Sequence, residues 1–455
     1  MPASKDPASS SKPSPSAWKI PWFNTRLTTD IRWYFSAQPL FWLLGIEFFA
    51  PVALMGWFLF KRLLMNARLR IPVATWSAIM LFLWQLAHIS TVQSGEMDLF
   101  VKAQGTLLAL ICLFVVIYNA ADTSQKWTDI LVSIERLGNI ALFFGALFIL
   151  GLWSGKFRSL LGIVLPRALV SGSFFFSSLA ERQLGVSEPA TGFRRVQSTF
   201  WHPNGYAAVL LLLFGIQWYL LRRDGWRKQP WRVLALILTL AQLFFTYSRT
   251  SYVALIMMAF VLWWLEKGNY RNRLLRLLFV AGMLTGFVLY VFIALLAEGT
   301  ITFSLLNQFV YGIRPYSIST RLLIYQETWR LLLQKPLWGW STLVRIEGLP
   351  SYFSAGSHSD FLSILFQYGI PALLFYLVFL VSIWRVQVKG YRLAQDPEAK
   401  RFFAVAMAIM LAIVLRQLTS GLFWDVYVAS VIWGIWALSL ARYTLLQRQT
   451  QTVSS

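Results

Sequence analysis

The sequence predicts an all-α polytopic membrane protein with about 10–12 transmembrane helices and two long extracytoplasmic segments. Of its 455 residues, 57% are hydrophobic and only 13% are charged, a composition typical of membrane-embedded chains and not of soluble enzymes. The apolar residues form runs about as long as a bilayer crossing. The basic residues concentrate in the short segments that separate these runs.

Apolar runs recur along the whole chain, and each is long enough to cross the bilayer as a helix. The predicted spans are residues 41–60, 71–91, 102–121, 137–154, 204–221, 231–247, 251–265, 277–297, 361–384, 402–420 and 422–441. The first run contains Glu47 and Pro51, so a re-entrant segment is an alternative for it. An odd number of spans with a cytoplasmic C-terminus would place the N-terminus outside, although its tail is basic. The side of the N-terminus and the span count therefore stay open.

The spans and the segments between them divide the chain into regions. We expect residues 1–40 to form a polar, partly disordered N-terminal tail, 41–154 the N-terminal spans, 155–203 an extracytoplasmic or interfacial segment, 204–297 the central spans with a Ser-Arg hairpin, 298–359 a large extracytoplasmic loop, 360–441 the C-terminal spans and 442–455 a cytoplasmic tail. Long segments between spans are uncommon unless they are functional. Catalysis is therefore expected on the extracytoplasmic side.

The net charge of +22 follows from topology. More than half of the 41 Lys and Arg residues lie in the predicted cytoplasmic segments 61–70, 122–136, 222–232, 266–276, 385–401 and 442–455. Short basic loops face the cytoplasm and contact anionic lipid, so nucleic-acid binding is not needed to explain the charge. The single cysteine, Cys112, lies inside an apolar run, so the chain has no disulfide framework.

Arg249 lies in a turn of three residues, Ser248-Arg249-Thr250, between the apolar runs 231–247 and 251–265. The loops at the far ends of both runs are basic, so the turn is expected on the outer side. A guanidinium near hydrocarbon costs several kcal/mol unless it has a partner or faces a polar cavity, and its planar fork suits phosphate oxygens. The alternative is an interfacial arginine that reaches the lipid headgroups.

Other polar side chains collect in the predicted outer segments. They are Arg194, Arg195, Asn204, Arg314, Arg321, Arg330 and His358. Asn204 is expected to cap a helix, whose N-terminus favours anions. His358 borders the membrane between small polar residues, and an unperturbed pKa of about 6.5 suits a general base.

Some polar residues have simpler structural interpretations. Arg416 and Asp425 are expected to form an ion pair between neighbouring helices, His202 to cap a helix start, and His88 to pack inside an apolar span. An amphipathic helix is predicted near Ser319–Gln334, with Arg330 on its solvated face, and Lys335-Pro336 would stop it.

Several chemistries lack the residues that they need. The sequence contains no Asp-x-Asp pair, no Gly-rich phosphate loop, and only three scattered histidines with one cysteine, so neither a metal held by paired carboxylates nor a zinc site is expected. Arginines with a histidine fit a substrate that carries its own leaving group, such as a lipid diphosphate. The arginines would stabilise the departing diphosphate, and the histidine would take a proton from the attacking hydroxyl.

Four stretches follow one another between residues 195 and 369. They are Arg195-Val-Gln-Ser-Thr-Phe-Trp-His-Pro-Asn204, Thr246-Tyr-Ser-Arg249, Ser319-Thr-Arg321 followed by Pro336-Leu-Trp-Gly339-Trp, and Gly356-Ser-His358-Ser-Asp-Phe-Leu-Ser-Ile-Leu-Phe-Gln-Tyr-Gly369. In order and spacing this set resembles the motifs of the O-antigen ligase and polymerase family of bacterial envelope glycan enzymes. The resemblance covers residues 195–370, with Ser198 and Trp340 at positions where the family usually has glycine.

The resemblance implies a metal-independent glycosyltransferase without a cofactor. Such enzymes move a glycan from undecaprenyl diphosphate to an acceptor, such as lipid A core, at the outer face of the bacterial cytoplasmic membrane. It implies that His358, Arg249 and Arg321 are catalytic, and that Arg195 binds substrate together with the two catalytic arginines. We expect Arg314 and Asn204 to complete the substrate-binding set.

The sequence is also compatible with two other functions. A polymerase would use the same donor but transfer the glycan to another lipid-linked repeat. An anion transporter of the bicarbonate type is the alternative from another class, since some relatives have been assigned to that role. Transporters typically show repeat symmetry with paired broken helices, and the sequence shows neither.

Overall fold

The structure, a computed structural model, describes residues 27–64, 69–92, 94–172, 174–187, 194–266, 315–347, 353–423 and 425–454. This part of the chain is predominantly helical, and eight of its helices are long and apolar enough to cross a membrane. The prediction of an all-α polytopic membrane protein is therefore confirmed. The predicted span 277–297 lies outside the described residues.

The described part of the chain contains fifteen α-helices and six short strands. The helices are α1 (Leu27–Leu44), α2 (Phe49–Leu64), α3 (Val73–Leu86), α4 (Met97–Ala120), α5 (Ser124–Ile149), α6 (Leu160–Val164), α7 (Arg167–Gly172), α8 (Phe174–Ala180), α9 (Pro203–Asp224), α10 (Pro230–Phe245), α11 (Arg249–Glu266), α12 (Pro315–Leu332), α13 (Asp360–Leu393), α14 (Pro397–Thr419) and α15 (Val426–Ser454). The strands are β1 (Phe157–Arg158), β2 (Glu181–Arg182), β3 (Gly185–Ser187), β4 (Arg194–Val196), β5 (Val344–Arg345) and β6 (Ser354–Ala355), which form the antiparallel pairs β1–β2, β3–β4 and β5–β6.

Helix α1 begins at Leu27, inside the segment that the sequence analysis assigned to a polar tail. It forms because one of its faces is apolar: Ile31, Tyr34 and Phe35 are fully buried in the main hydrophobic core. The tail therefore ends earlier than residue 40. Burial of this face against the rest of the bundle outweighs the polar residues on the other face.

The prediction of one continuous span over 41–60 is wrong, because the helix is interrupted between the end of α1 at Leu44 and the start of α2 at Phe49. Gly45 has φ +82°, a conformation that ends a helix and that residues with a side chain rarely adopt. Two residues later, Glu47 accepts a hydrogen bond from the Arg182 guanidinium at 2.6 Å. The buried ion pair explains why an acidic residue interrupts this apolar run.

Two predicted segments continue as helix past the hydrophobic runs. Helix α13 extends to Leu393, well into the predicted loop 385–401, and α15 extends through the predicted tail 442–455 as far as Ser454. Helix α13 is kinked at Gly369, and its segment after the kink, residues 370–393, is by itself about 36 Å long, whereas the hydrocarbon layer is about 30 Å thick. The ends of these helices are therefore long enough to continue beyond the bilayer.

The core of the bundle lies around α9, α14 and α15. Most residues of these helices are buried on all sides, which is the pattern of helices surrounded by protein. Helix α14 packs against α9, α11, α13 and α15. It therefore contacts three of the helices whose ends carry the predicted site residues.

The segment after α12 docks on a kink in α13. Gly369 at the kink has φ +73°, and a side chain there would collide with the Leu337 carbonyl. Backbone hydrogen bonds connect the two: Trp340 N–H to the Phe366 carbonyl at 2.9 Å, Ser341 N–H to the Gln367 carbonyl at 2.7 Å, and Ile370 N–H to the Pro336 carbonyl at 3.0 Å. The kink thereby fixes the end of α12 relative to the start of α13.

His88, just after the end of α3, contacts the same segment through Trp338. The prediction of a packing histidine is confirmed. Its ring is fully buried and stacks on Trp338 with ring centroids 4.4 Å apart. The Nε2 atom lies 2.7 Å from the Trp338 carbonyl oxygen, and Nδ1 lies 2.9 Å from that of Trp84.

Candidate active site

The predicted site residues that the structure describes lie at one end of the helices, which we call the site end. It comprises the starts of α9, α11 and α13 and the ends of α10 and α14. Helices that follow one another alternate in direction, so the basic connections 222–232 and 385–401 lie at the opposite end. The structure thus brings together side chains that are far apart in sequence.

Arg195 connects two of the predicted motifs. It lies in β4, is only 5% exposed, and donates from Nε to the Thr246 carbonyl at 2.9 Å and from a terminal nitrogen to Asn204 Oδ1 at 3.2 Å. Burial, together with the charges of Arg321 and Arg249, lowers the pKa of Arg195 to about 10. A negatively charged ligand would relieve the repulsion among these three guanidiniums.

Asn204 does not cap its helix, contrary to the prediction. The cap of α9 is His202, whose Nδ1 accepts a hydrogen bond from Asn204 N–H at 3.0 Å. Pro203 occupies the first helical position, where a missing N–H costs nothing. The predicted capping role of His202 is confirmed. The Asn204 side chain instead accepts a hydrogen bond from Arg195, and its predicted role in substrate binding stays a prediction.

Arg249 is the first residue of α11, directly after the turn that the sequence predicted. The turn is tight, with Tyr247 at φ +50° and Ser251 Oγ donating to Ser248 Oγ at 3.0 Å. The Arg249 side chain is half-buried and lies within electrostatic reach of Arg321. The helix N-terminus adds its own preference for anions at this position.

Arg321 and His358 face each other across the α12–α13 connection. Helix α12 (Pro315–Leu332) forms close to its predicted position and carries Arg321 and, one turn later, Tyr325, whose hydroxyl donates to the His358 carbonyl at 3.5 Å. Thr328 Oγ1 accepts from Gly356 N–H at 2.7 Å. The helix that carries the arginine therefore also holds the loop that carries the histidine.

His358 is strained and half-buried, and one of its ring nitrogens has no hydrogen-bond partner among the described residues. Its φ is +67°, a conformation that non-glycine residues keep only where the surroundings enforce it. Its Nε2 is buried without a hydrogen-bond partner among the described residues. Burial, followed by the charge of Arg321, lowers the pKa of His358 to about 4. The ring is therefore neutral at pH 7, with a basic nitrogen available.

The residues after His358 hold it from two further sides. Ser359 caps α13 and donates to the Gln417 carbonyl of α14 at 3.1 Å. The Asp360 carboxylate accepts from Leu422 N–H at 3.0 Å and also from Phe423 N–H. These bonds fix the strained loop to the connection between α14 and α15.

The predicted ion pair between Arg416 and Asp425 is wrong. Asp425 accepts from the backbone N–H groups of Trp201, Tyr427 and Val428 at 3.1, 2.9 and 3.3 Å. Arg416 donates instead to oxygens of α9 and α11, and it feels the charges of Arg321 and Arg195. Arg416 is thus a member of the arginine cluster that sequence reasoning missed. The available signal was an arginine within a run of apolar residues, with no acidic residue one turn away in its own helix.

The remaining predicted residues lie apart from the cluster or are not described. Arg314 lies outside the described residues. Arg330 is exposed and pairs with Glu327 at 2.5 Å, so the predicted solvated face of α12 is confirmed. Within the described ranges, no group of three or more His, Cys, Asp or Glu side chains lies close enough to hold a metal ion, and none of the ion pairs there involves Arg195, Arg321 or Arg416.

A family model described as O-antigen ligase matches residues 234–377, which include the Arg249 turn, Arg321 and His358. No curated protein matches the chain. The match gives no support to the transporter alternative and implies an enzyme of the glycosyltransferase type. Residues 234–377 are therefore similar to an O-antigen ligase domain, and this match supports membership of the chain in the O-antigen ligase family.

Proposed function

We propose that the protein is a metal-independent glycosyltransferase that moves a glycan from undecaprenyl diphosphate to an acceptor hydroxyl. The observation that carries the proposal is the juxtaposition of Arg195, Arg249 and Arg321 with the unpaired Nε2 of His358. A cluster of guanidiniums fits the two phosphates of the donor, because each planar fork can bind two phosphate oxygens. Their combined positive charge would also stabilise the negative charge that develops on the leaving diphosphate, a role that a bound metal ion has in other transferases.

The reaction is a displacement at the anomeric carbon of the donor glycan. The acceptor oxygen forms the new bond to that carbon while His358 Nε2 takes the hydroxyl proton. The bond between the anomeric carbon and the diphosphate oxygen breaks, and the electron pair leaves with the diphosphate. Arg249 and Arg321 stabilise this developing charge, and Arg195, held by Asn204, binds the phosphates without touching the reacting carbon.

Donor binding would strengthen the base. The charge of Arg321 contributes to the low pKa of His358 in the unoccupied site. A diphosphate bound to Arg321 supplies opposite charge nearby, which favours the protonated imidazole and raises the pKa of His358. The histidine would therefore become a competent base at neutral pH when the donor is in place.

The site is proposed to face outward from the bacterial cytoplasmic membrane. The support is the charge of the connections at the opposite end of the helices, where 222–232 and 385–401 each hold several Lys and Arg. Segments of this kind stay in the cytoplasm. The glycan carried by the lipid would then be reached from the outer leaflet.

The acceptor is proposed to be lipid A core or another envelope lipid, because the matched family is described as a ligase. A polymerase remains the second candidate, since it would use the same arginines for the same donor. Supplying the purified enzyme with lipid A core and, separately, with a second lipid-linked repeat distinguishes the two. The ligase assignment requires product only with the former.

The arginines test the proposal most directly. Lysine keeps the charge but cannot reproduce a two-pronged contact with phosphate, so Arg249→Lys and Arg321→Lys should each lose most transfer activity while accumulating normally in the membrane. Arg330→Lys is the matched control, because Arg330 lies on the same helix as Arg321 but is exposed, and it should behave like the wild type. The assay uses purified protein with an undecaprenyl diphosphate-linked glycan. Full activity of Arg249→Lys would show that this arginine only reaches lipid headgroups and would remove it from the site.

A further inference from the structure

The last turn of α14 contacts all three segments that carry the candidate active site. Arg416 donates from one terminal nitrogen to Thr250 Oγ1 at 2.5 Å and from the other to the Asn204 carbonyl at 2.9 Å. The next residue, Gln417, accepts from Ser359 Oγ at 3.1 Å through its backbone carbonyl. These partners neighbour or bond the predicted site residues, since Thr250 follows Arg249, Asn204 bonds Arg195, and Ser359 follows His358.

Burial of the Arg416 guanidinium costs free energy, because the charge is removed from water. It is fully buried, it forms no ion pair among the described residues, and its Nε has no hydrogen-bond partner there. The preceding turns of α14 are apolar, with Ala412, Ile413, Val414 and Leu415 all buried. An apolar side chain at this position would pack without desolvating a charge, and an ionisable residue inside a membrane helix indicates a functional role.

Besides its charge, Arg416 supplies hydrogen bonds to two different helices, which an apolar residue could not. The Asn204 carbonyl belongs to the first turn of α9, and the Thr250 hydroxyl belongs to the first turn of α11. The guanidinium is rigid and planar, so it fixes the separation of the two acceptors that its nitrogens reach. An ammonium on a flexible chain does not impose such a separation.

We propose that Arg416 is a positioning residue of the donor site, which sets the distance between the segment that carries Arg195 and the turn that carries Arg249. The inference rests on the proposed function, because the ligand whose two phosphates these arginines would share is the lipid diphosphate. Asn204 transmits the effect to Arg195 through its side-chain oxygen. Thr250 transmits it to Arg249 through the backbone.

The test compares Arg416→Lys with Arg442→Lys. Arg442 is also buried, at 8% exposure, and donates to Ser124 Oγ at 3.0 Å, but it lies near the opposite end of the helices. Steady-state kinetics with an undecaprenyl diphosphate-linked glycan and equilibrium binding of undecaprenyl diphosphate alone are measured for both. Displacing binding groups by about 1 Å can cost about 10²-fold in rate, so Arg416→Lys should lower kcat/KM for the donor by about that factor. Arg442→Lys should match the wild type.

The donor and acceptor constants separate positioning from general loosening of the fold. Arg416→Lys should raise the donor KM and weaken binding of undecaprenyl diphosphate, while the acceptor KM and the unfolding temperature stay unchanged. Thr250→Val removes one of the two hydrogen bonds and nearly keeps the side-chain shape, so it should show a smaller loss of the same kind. The double variant should be no worse than Arg416→Lys, because both changes break the same connection.

Each outcome decides one of the two proposals. Wild-type donor KM and lipid binding in Arg416→Lys, or additive losses in the double variant, would overturn the positioning role and leave the transferase proposal intact. A wild-type protein that neither binds undecaprenyl diphosphate nor transfers from it would overturn the proposed function itself. If Arg416→Lys does not accumulate, Thr250→Val carries the test, and unchanged donor binding in that variant counts against the inference.

Discussion

The pH dependence of transfer tests His358 as the base. Burial first, and the charge of Arg321 second, lower its pKa from 6.5 to about 4 in the free enzyme. A general base acts only in its neutral form, so activity should be full above this pKa and lost as the pH falls through it. The acid limb of kcat/KM, which reports the free enzyme, should therefore lie near pH 4.

The size of the effect follows from the two pKa values. At pH 5, a base with a pKa of about 4 is about 90% neutral, whereas one with the unperturbed value of about 6.5 is only about 3% neutral. The two cases differ by about 30-fold in the active fraction. Such a difference is easily resolved in a rate measurement.

The acid limb of kcat, which reports the complex with substrate, should lie at higher pH than that of kcat/KM. A bound diphosphate compensates the charge of Arg321, and the pKa of His358 then rises towards its ordinary value. The variant Arg321→Gln should move the limb of kcat/KM upward in the same direction, although its rate is low.

The assay measures initial rates of transfer between about pH 4 and 8, with thermal unfolding recorded at each pH to exclude loss of the folded protein. Acid limbs of kcat/KM and kcat that coincide near pH 6.5 would refute the reasoning. They would show that the base is a group without the surroundings of His358.

Two further predictions concern the histidines and the topology. His358→Ala should lower the rate by about 10²–10⁴-fold, the range for loss of a general base, whereas His202→Ala removes a helix cap worth about 1 kcal/mol and should be much milder; equal, nearly complete activity of both purified variants would exclude His358 from the mechanism. In a cysteine-free background, single cysteines in 222–232 should label only from the cytoplasmic side and those in 315–347 only from outside, and cytoplasmic labelling of 315–347 would place the site on the wrong side for the proposed donor.

The fold class was predictable because it depends on properties that the sequence shows directly. Hydrophobic run length and the placement of Lys and Arg specify spans and their direction. The sequence indicated an interruption near Glu47 and Pro51 but not its form, because Glu47 pairs with Arg182, a contact between residues 135 positions apart. Average hydropathy over a run does not detect such a pair.

The candidate site was predictable in its chemistry but not in its connections. The positions of Arg195, Arg249, Arg321 and His358 followed from polar residues in outer segments, and their roles remain predictions. Asn204 was assigned as a cap because asparagine often caps helices, yet a histidine two positions earlier occupies that place. Residue preferences for helix caps cannot decide between His202 and Asn204, because the Asn204 side chain is bonded by Arg195 from another part of the fold.

The late position of Arg416 in the chain has a consequence for biosynthesis. Its partner Asn204 precedes it by 212 residues, which a ribosome takes about 10–40 s to translate. During that interval the earlier helices have entered the bilayer, and Arg195 already has its own partners in Thr246 and Asn204. If Arg416 positions the donor site as proposed, the spacing of the two arginine segments is set only after α14 has been synthesised and inserted. A chain that ends before α14 would then lack transfer activity, although Arg195, Arg249, Arg321 and His358 would all be present.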